Sequence, residues 1–324
     1  MGYITKLGAL ALGIFASAGI ALAETPVLRL SALEGGTVNW ELDTIKHNGF
    51  DTANGFDLQV QAAAGTPASQ IAFQAGEADA IVSDWLWVAR QRAEGHDYVF
   101  IPYSKAVGAL LVPKDSTATK LSDLAGGKIG IAGGPVDKSW LILRAYAQKA
   151  EGFDLAAGTE QVFGAPPLIF KSALDGELAG AVNFWHFNAK MEVAGMRPLV
   201  TVTDAAVALG LDPETPLLGY VVKGEMVREH PELIQGLAAA SRAAKDLLAT
   251  DEAAWDRLRE SMNVKTDEQF AALKAGYRAG IPGSAPVDEG AAGRMLALMA
   301  ELGGKELVGD VKVLPDGVFL QPGS

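Results

Sequence analysis

The sequence predicts an α/β fold in which two similar lobes are built on two mainly parallel sheets. Apolar strand-like segments alternate with amphipathic helix-like segments through most of the chain, the usual pattern of helices packed on parallel strands. The chain has 324 residues, which exceeds the length that a single hydrophobic core usually organises. Ile71–Phe100 also matches Lys171–Val200 at a fixed offset of 100 residues, which predicts that one half-fold occurs twice.

The first residues predict a secretory signal peptide. Lys6 precedes an apolar run of 14 residues, Leu7–Ile20, and Ala21-Leu22-Ala23 forms a small-x-small cleavage site. The run is shorter than the roughly 20 residues that a membrane-spanning helix needs, and no cysteine is present for lipid attachment. We therefore expect residues 1–23 to be removed after Ala23 and the mature protein to be soluble in the periplasm, without a membrane anchor.

The first half of the chain alternates strand, loop and helix. Short apolar runs predict strands at Val27–Ala32, Phe56–Gln61 and Ala80–Val82. Periodic apolar residues predict helices at Val38–His47, from Gly65–Ser69 through Gln74, and at Trp85–Glu94. Thr66 is the expected N-cap of the second of these helices, because Pro67 fits the first helical position without losing a hydrogen bond.

The second half continues the alternation and then becomes helical. We expect an extended segment at Lys105–Pro113, a helical turn at Leu121–Leu124, a strand at Lys128–Ile131 and a helix from about Val136 to Lys149. Four helices follow at Leu233–Ala249, Asp251–Ser261, Asp267–Ala279 and Pro286–Leu302, and the tail Val311–Leu320 is expected to be extended.

Composition excludes several classes of function. Lys and Arg number 27 against 39 Asp and Glu, and the net charge of -12 disfavours a nucleic-acid partner. The absence of cysteine excludes thiol nucleophiles, disulfides and iron–sulfur clusters. No Gly-x-Ser-x-Gly or Walker motif is present, so we expect no catalytic residues and no cofactor. The four histidines, His47, His96, His186 and His230, are scattered, which argues against a metal site.

Two facing sheets would place a binding site between the loops that leave the carboxyl ends of their strands. Trp85 and Trp185 occupy corresponding positions of the repeat, so closing lobes could sandwich a flat ring between their indoles. Trp40 and Trp140 lie in neighbouring loops and are further candidates. The alternative is that these indoles pack helices onto sheets inside each lobe, as large aromatic side chains often do.

A glycine turn before a predicted helix is the second candidate feature. Gly134 and its neighbours would expose backbone N–H groups that attract an anion, and Lys138 would lie in the first helical turn. A cation there opposes the helix dipole unless it has an anionic partner, either a ligand or Asp137. The remaining candidates for ligand contact are Thr66, Ser69, Ser83, Asn183 and His186. The hydroxyl and amide side chains among them, like Asp84, have helix capping as the alternative role.

Five segments together resemble a known family. They are Leu111–Ser116 followed by Leu121–Ile131, the turn Gln74–Ala80, and Val221–Gly224 with Glu229–Leu233. Their order and spacing resemble substrate-binding proteins of ABC importers in the nitrate/sulfonate/taurine branch, which includes thiamine-pyrimidine binders. The resemblance implies the type II periplasmic-binding-protein fold, with a hinge of two crossing segments near Val107–Val112 and Pro216–Val222. Lobe 1 would comprise residues 24–110 and 217–324, and lobe 2 residues 111–216.

The resemblance also implies a function. We expect a monomeric solute-binding protein that closes on a small anionic ligand and delivers it to ABC permease and ATPase subunits. Gly133–Tyr146 resembles binding proteins associated with quinoprotein dehydrogenases, so pyrroloquinoline quinone, a flat aromatic acid, is the first ligand hypothesis. The alternative ligands are a sulfonate, nitrate or a thiamine-pyrimidine precursor. The alternatives of another class are an enzyme on this scaffold and a periplasmic sensor module.

Overall fold

Two five-stranded mixed sheets organise residues 25–321, the part of the chain that the computed structural model describes. The strands are β1 Val27–Leu33, β2 Asp57–Ala63, β3 Ala80–Asp84, β4 Tyr98–Ser104, β5 Ala109–Pro113, β6 Lys128–Ala132, β7 Glu160–Gly164, β8 Gly180–Val182, β9 Met196–Thr201 and β10 Leu218–Lys223. Sheet A has the order β2-β1-β3-β10-β4, and sheet B has the order β7-β6-β8-β5-β9. In each sheet one strand, β10 or β5, is antiparallel to both neighbours, and the other pairings are parallel. The predicted α/β fold with two parallel-rich sheets is confirmed.

Helices cover both sheets. They are α1 Val38–Asn48, α2 Phe50–Ala53, α3 Thr66–Gln74, α4 Trp85–Ala93, α5 Lys138–Glu151, α6 Pro166–Leu174, α7 Trp185–Val193, α8 Val202–Leu209, α9 Gly224–Glu229, α10 Pro231–Thr250, α11 Glu252–Leu258, α12 Asp267–Ala279 and α13 Glu289–Val308, with a short 3-10 helix at Leu121–Leu124. Within residues 25–321, no helix combines the length and the apolar character that crossing a membrane requires. The predicted signal peptide and its cleavage site lie outside the described residues.

Two helices begin later than their periodicity predicts, because aspartates cap them. Asp137 accepts a hydrogen bond from the Trp140 N–H, so α5 begins at Lys138. Asp288 caps α13 in the same way, so this helix begins at Glu289, three residues after the predicted start at Pro286. The predicted extended tail is largely irregular, although Phe319 forms a β-bridge with Phe100 at the edge of sheet A.

The internal repeat is confirmed in the structure. Helices α3 and α6, and also α4 and α7, begin and end at positions 100 residues apart. Gly76 and Gly176, which follow the first pair of helices, both adopt a positive φ, 80° and 77°. Gly95 and Gly195, which follow the second pair, have φ values of 94° and 101°. Glycine is favoured at such positions because it lacks a Cβ, so the same helix ends recur with the same turn chemistry.

The chain passes between the sheets through two segments, residues 105–108 and 210–217. The prediction placed these crossings near Val107–Val112 and Pro216–Val222. The observed segments lie earlier in the sequence, because those residues mostly belong to strands β5 and β10 themselves. Pairing in a sheet satisfies the backbone groups that an exposed crossing would leave to solvent.

Here lobe 1 denotes the part built on sheet A, and lobe 2 the part built on sheet B. Helix α12 packs on α7 of lobe 2, and α13 packs on both α4 and α5, so two late helices hold the lobes together. The crossing segments are tied to each other by Lys105, whose Nζ donates to Glu214 Oε2 at 2.6 Å. The lobe boundaries at residues 110/111 and 216/217 stay a prediction.

Candidate functional site

The lobes meet where the carboxyl ends of parallel strands from both sheets come together. Strand β3 ends at Asp84 in lobe 1, and β6 leads through a glycine turn to Lys138, the first residue of α5 in lobe 2. Nζ of Lys138 donates to Oδ2 of Asp84 at 2.7 Å. This ion pair therefore joins the lobes at the edge where open α/β sheets bind ligands.

Both groups of the ion pair are largely withdrawn from solvent. The side chains of Asp84 and Lys138 keep 15% and 29% of their surface exposed. Burial alone would lower the pKa of Lys138, but the charge of Asp84 and its hydrogen bond outweigh burial, and the pKa is raised. The ammonium is therefore protonated at neutral pH. Asp84 Oδ1 also accepts the Trp87 N–H at 2.9 Å, so the same carboxylate caps α4.

A second carboxylate, Asp137, lies beside Lys138. Burial raises the pKa of Asp137, although the Trp140 N–H and the Lys138 charge act in the opposite direction. The preceding turn is tied to the end of β7, because the Gly133 N–H donates to the Gly164 carbonyl at 2.9 Å. A Cβ at Gly134 would meet nothing within 4 Å, so open space adjoins the backbone there.

Trp185 crosses from lobe 2 and packs against Trp40 of lobe 1. Their ring centroids are 6.0 Å apart with planes at 89°, an edge-to-face contact. Trp40 in turn packs against Trp255, with ring centroids 6.1 Å apart. Trp185 also lies over Gly276 of α12, where a Cβ would come within 2.6 Å of the indole Cζ3. The Trp185 ring therefore occupies a space between the lobes that depends on a glycine.

The expected pairing of Trp85 with Trp185 across the cleft does not form. Trp85 is fully buried, with its ring centroid 5.8 Å from that of Phe319. Trp140 is 1% exposed and packs in the same core cluster. The physical reason is that the C-terminal segment covers Trp85, a contact that repeat symmetry cannot reveal. In this arrangement neither Trp85 nor Trp140 presents a ring face to the cleft.

The polar candidates anchor the loops of their own lobes. Ser69 Oγ donates to the Thr66 carbonyl at 2.9 Å, and Gln70 Nε2 donates to Ser83 Oγ at 3.3 Å. Asn183 Nδ2 donates to the carbonyl of the first residue of α6 at 2.9 Å. None of these bonds caps a helix. The prediction that Thr66 is the N-cap of α3 is wrong, because the N-cap is Gly65, without a side-chain cap, and Thr66 is the first residue of the helix. Ligand contact by Thr66, Ser69, Ser83 and Asn183 stays a prediction.

His186 is packed among aromatic rings. Its ring centroid lies 4.6 Å from that of Phe187. Burial, and secondly the Lys190 ammonium, lower the pKa of His186 to about 4, so the ring is neutral at pH 7. A neutral imidazole offers one donor and one acceptor, and its contact with a ligand stays a prediction. Among the described residues, no group of three His, Asp or Glu side chains is placed to hold a metal ion.

One buried polar cluster was missed at the sequence level. Glu41 of α1 is fully buried, and its Oε1 accepts hydrogen bonds from Tyr220, Ser241 and Lys245 at 2.6, 2.6 and 2.9 Å. Its Oε2 accepts one from Tyr277 at 2.9 Å. The sequence contains one indication of this cluster, because the polar residues Ser241 and Lys245 fall among the apolar positions on the buried face of α10. The cluster joins α1, α10, α12 and β10 inside lobe 1, behind Trp40.

Several solved structures have the same architecture. Their sequence identities to this chain are low, so the similarity concerns the fold alone. The periplasmic aliphatic sulphonate binding protein SsuA from Escherichia coli gives a TM-score of 0.70 at 18% identity, covering 89% of this chain and 95% of its own. The alkanesulfonate-binding protein SsuA from Xanthomonas axonopodis pv. citri, bound to MOPS, gives 0.69 at 16% identity, covering 92% and 99%. The desulfurization enzyme DSZB gives 0.59 at 17% identity, covering 90% and 97%. The class is therefore the two-lobed periplasmic-binding-protein fold.

The family follows from the sequence. The model of the NMT1/THI5-like family matches residues 44–254, more than half of the chain, and the protein belongs to this family. This match and the SsuA structures confirm the predicted resemblance at the level of the family and fold. Membership of the quinoprotein-associated subgroup stays a prediction. No curated protein matches the sequence.

Proposed function

We propose that this protein is the solute-binding component of an ABC import system, which closes two lobes on a small anionic ligand in the periplasm. The observation that carries the proposal is the ion pair of Asp84 with Lys138, which joins the lobes at the ligand-binding edge of both sheets. The family match and the fold shared with SsuA support it. Permease and ATPase subunits are the proposed partners, and the protein would act as a monomer.

A sulfonate is the proposed ligand class. Two proteins of the same fold are named for binding sulfonates, and the first turn of α5 suits an acidic group. Lys138 supplies a charge there, and the backbone at Gly134 adjoins open space. These two residues are the proposed contacts for the sulfonate oxygens.

Pyrroloquinoline quinone is kept as a second candidate ligand, although the comparisons name no such compound. The observation in its favour is that two exposed aromatic side chains lie near the carboxyl ends of strands in lobe 2. Phe163, near the end of β7, and Phe184, before α7, keep 38% and 42% of their surface exposed. Exposed rings of this kind are suited to stacking on a flat ligand.

An enzyme on this scaffold is the alternative from another class, because the desulfurization enzyme DSZB has a similar fold. This chain contains no cysteine, and the two charged groups at the centre of its cleft are paired with each other. Release of sulfite from a bound sulfonate would show turnover and would replace the binding proposal. A sensor would bind ligand equally well but would require a membrane receptor in place of a permease.

Intrinsic tryptophan fluorescence of the ligand-stripped protein tests the proposal. Trp40 and Trp185 meet between the lobes, so lobe movement on binding should change their emission. The probes are MOPS, propanesulfonate, nitrate, a thiamine pyrimidine and pyrroloquinoline quinone. We expect one probe to give a saturable change together with a higher melting temperature, corresponding to about 2.7 kcal/mol at a concentration of 100 Kd.

A Trp185→Phe variant is the control for the origin of the signal. It should lose most of the fluorescence change while keeping the shift in melting temperature. If none of the probes changes either fluorescence or melting temperature, the proposal is wrong for these ligand classes.

A further inference from the structure

The loops at the cleft edge hold more acidic than basic side chains. These loops are residues 33–37, 63–66, 83–85, 104–108, 132–138, 164–167, 183–186, 201–204 and 210–218. Their cations are Lys105 and Lys138, and their carboxylates are Glu34, Asp84, Asp137, Asp204, Asp212 and Glu214. Lys105 is paired with Glu214 in the crossing segments, and Lys138 is paired with Asp84 between the lobes. In the described loops, each cation therefore already has an anionic partner.

A ligand that carries only a negative charge would compete with Asp84 for the Lys138 ammonium. It must either share the ammonium with Asp84, which leaves two anions on one cation, or displace Asp84, whose side chain is only 15% exposed and would lose its ion-pair partner. Asp84 would keep the Trp87 N–H, but a buried carboxylate without a counter-charge is strongly unfavourable. In both cases the Asp84 carboxylate and the ligand would repel each other in a poorly solvated site, next to Asp137.

A ligand that brings its own cation removes this cost. Its acidic group would bind Lys138, and its cationic group would bind Asp84, so that Lys138 and Asp84 each keep a partner of opposite charge. We infer that Asp84 is a specificity-determining residue, which excludes bare anions from Lys138 and selects ligands that carry an acidic and a cationic group together. The inference rests on the proposed function and narrows its ligand class.

Calorimetric titration with two matched probes tests the inference. Propanesulfonate and 3-aminopropanesulfonate have the same acidic group and the same chain and differ in the ammonium group. We expect the wild-type protein to bind the amino compound at least tenfold more tightly. In Asp84→Asn, the amide oxygen can still cap α4 while the charge is removed. This variant should bind propanesulfonate at least tenfold more tightly than the wild type does and should no longer prefer the amino compound.

The chain offers a matched control at the other end of the same strand. Asp79 precedes β3 and forms a part-buried ion pair with Arg29 at 2.6 Å, away from the cleft. Asp79→Asn removes the same charge, and the ratio of the two affinities should stay as in the wild type. A change of that ratio equal to the change in Asp84→Asn would point to net charge and not to Asp84.

The inference is overturned by equal wild-type affinities for the two probes, by tighter binding of propanesulfonate, or by an unchanged ratio in Asp84→Asn. The wild-type comparison needs no variant, so it decides the matter even if Asp84→Asn does not fold. Absence of binding of both probes to both proteins also overturns it. The fluorescence titration with MOPS, the thiamine pyrimidine and the quinone then decides the proposed function separately.

Discussion

Glu41 shows how a single buried charge is accommodated in lobe 1. Its carboxylate accepts four hydrogen bonds, and the Lys245 ammonium also lies 5.1 Å from the centroid of the Tyr103 ring. Burial lowers the pKa of Lys245, although Glu41 opposes this effect, whereas burial and the Glu41 charge raise the pKa of Tyr220. Each of these groups is tolerable in the core because the others are present.

Lys245→Met should therefore destabilise the protein strongly. It leaves the Glu41 carboxylate buried without a cation, and breaking such a pair costs about 3–5 kcal/mol. Urea unfolding at neutral pH measures the loss. The double variant Glu41→Gln with Lys245→Met should recover part of it, because no unpaired charge remains. Lys171→Met, at a lysine that is 74% exposed, is the control, and an equal effect of both lysine variants would contradict the assignment.

The sequence placed Lys138 correctly at the start of a helix but did not predict its partner. It placed Lys138 in the first turn of a helix and required an anionic partner, for which Asp137 or a ligand was expected. The partner is Asp84 of the other lobe. Asp84 was interpreted as a cap, which it is, but its second oxygen is free to bond across the cleft. Local spacing predicts caps, whereas the pairing of two lobes depends on how the whole chain folds.

At the scale of elements, periodicity predicted eight of the thirteen α-helices within residues 25–321, and the offset of 100 residues predicted the repeat. Short apolar runs predicted β1, β2, β3 and β6 and the extended segment that contains β5, whereas the other five strands of the described chain were not predicted. Periodicity did not predict which helices touch across the lobes. The packing of α12 on α7 depends on Gly276, since a side chain at that position would meet Trp185. In the sequence, Gly276 is one of 37 glycines, and only its neighbour in space reveals its role.

Gly276→Ala should weaken this contact between lobes. The new Cβ would lie 2.6 Å from the Trp185 ring, and such overpacking costs about 1–3 kcal/mol. Chemical unfolding measures the cost, and tryptophan emission reports whether Trp185 moves. Gly293→Ala in α13 is the matched control, because nothing lies within 4 Å of its Cβ. The control should stabilise the protein by about 0.5–1 kcal/mol through helix propensity, and stabilisation by both variants would refute the packing argument.

At the scale of the whole molecule, two close backbone approaches hold the first crossing segment in place. A Cβ at Gly108 would lie 2.3 Å from the Asn183 carbonyl oxygen, and one at Gly280 would lie 2.6 Å from Ala106 Cβ. The segment 105–108 is therefore confined on one side by the end of β8 and on the other by the end of α12. The angle between the lobes depends on this confinement, because the chain crosses there.

Gly108→Ala should open the molecule as well as destabilise it. The Cβ cannot be accommodated unless the crossing segment shifts, at a cost of about 1–3 kcal/mol. Small-angle scattering should show a radius of gyration above that of the wild type, for which a compact chain of 324 residues predicts about 20 Å. Gly283→Ala, with nothing within 4 Å of its Cβ, is the control. If the radius of gyration of Gly108→Ala equals that of the wild type, the prediction is wrong, because the crossing segment then accommodates the methyl group without opening the molecule.

The strand order of sheet A has a consequence for the order in which the chain acquires its structure. Strand β10 lies between β3 and β4, yet it is synthesised after the whole of sheet B. Sheet B is contiguous in sequence from β5 to β9, so its pairings need no later residues and close the shorter loops. Lobe 2 can thus reach its final topology while lobe 1 still has a gap at its centre. A chain that stops before residue 218 can complete one lobe but cannot complete the other.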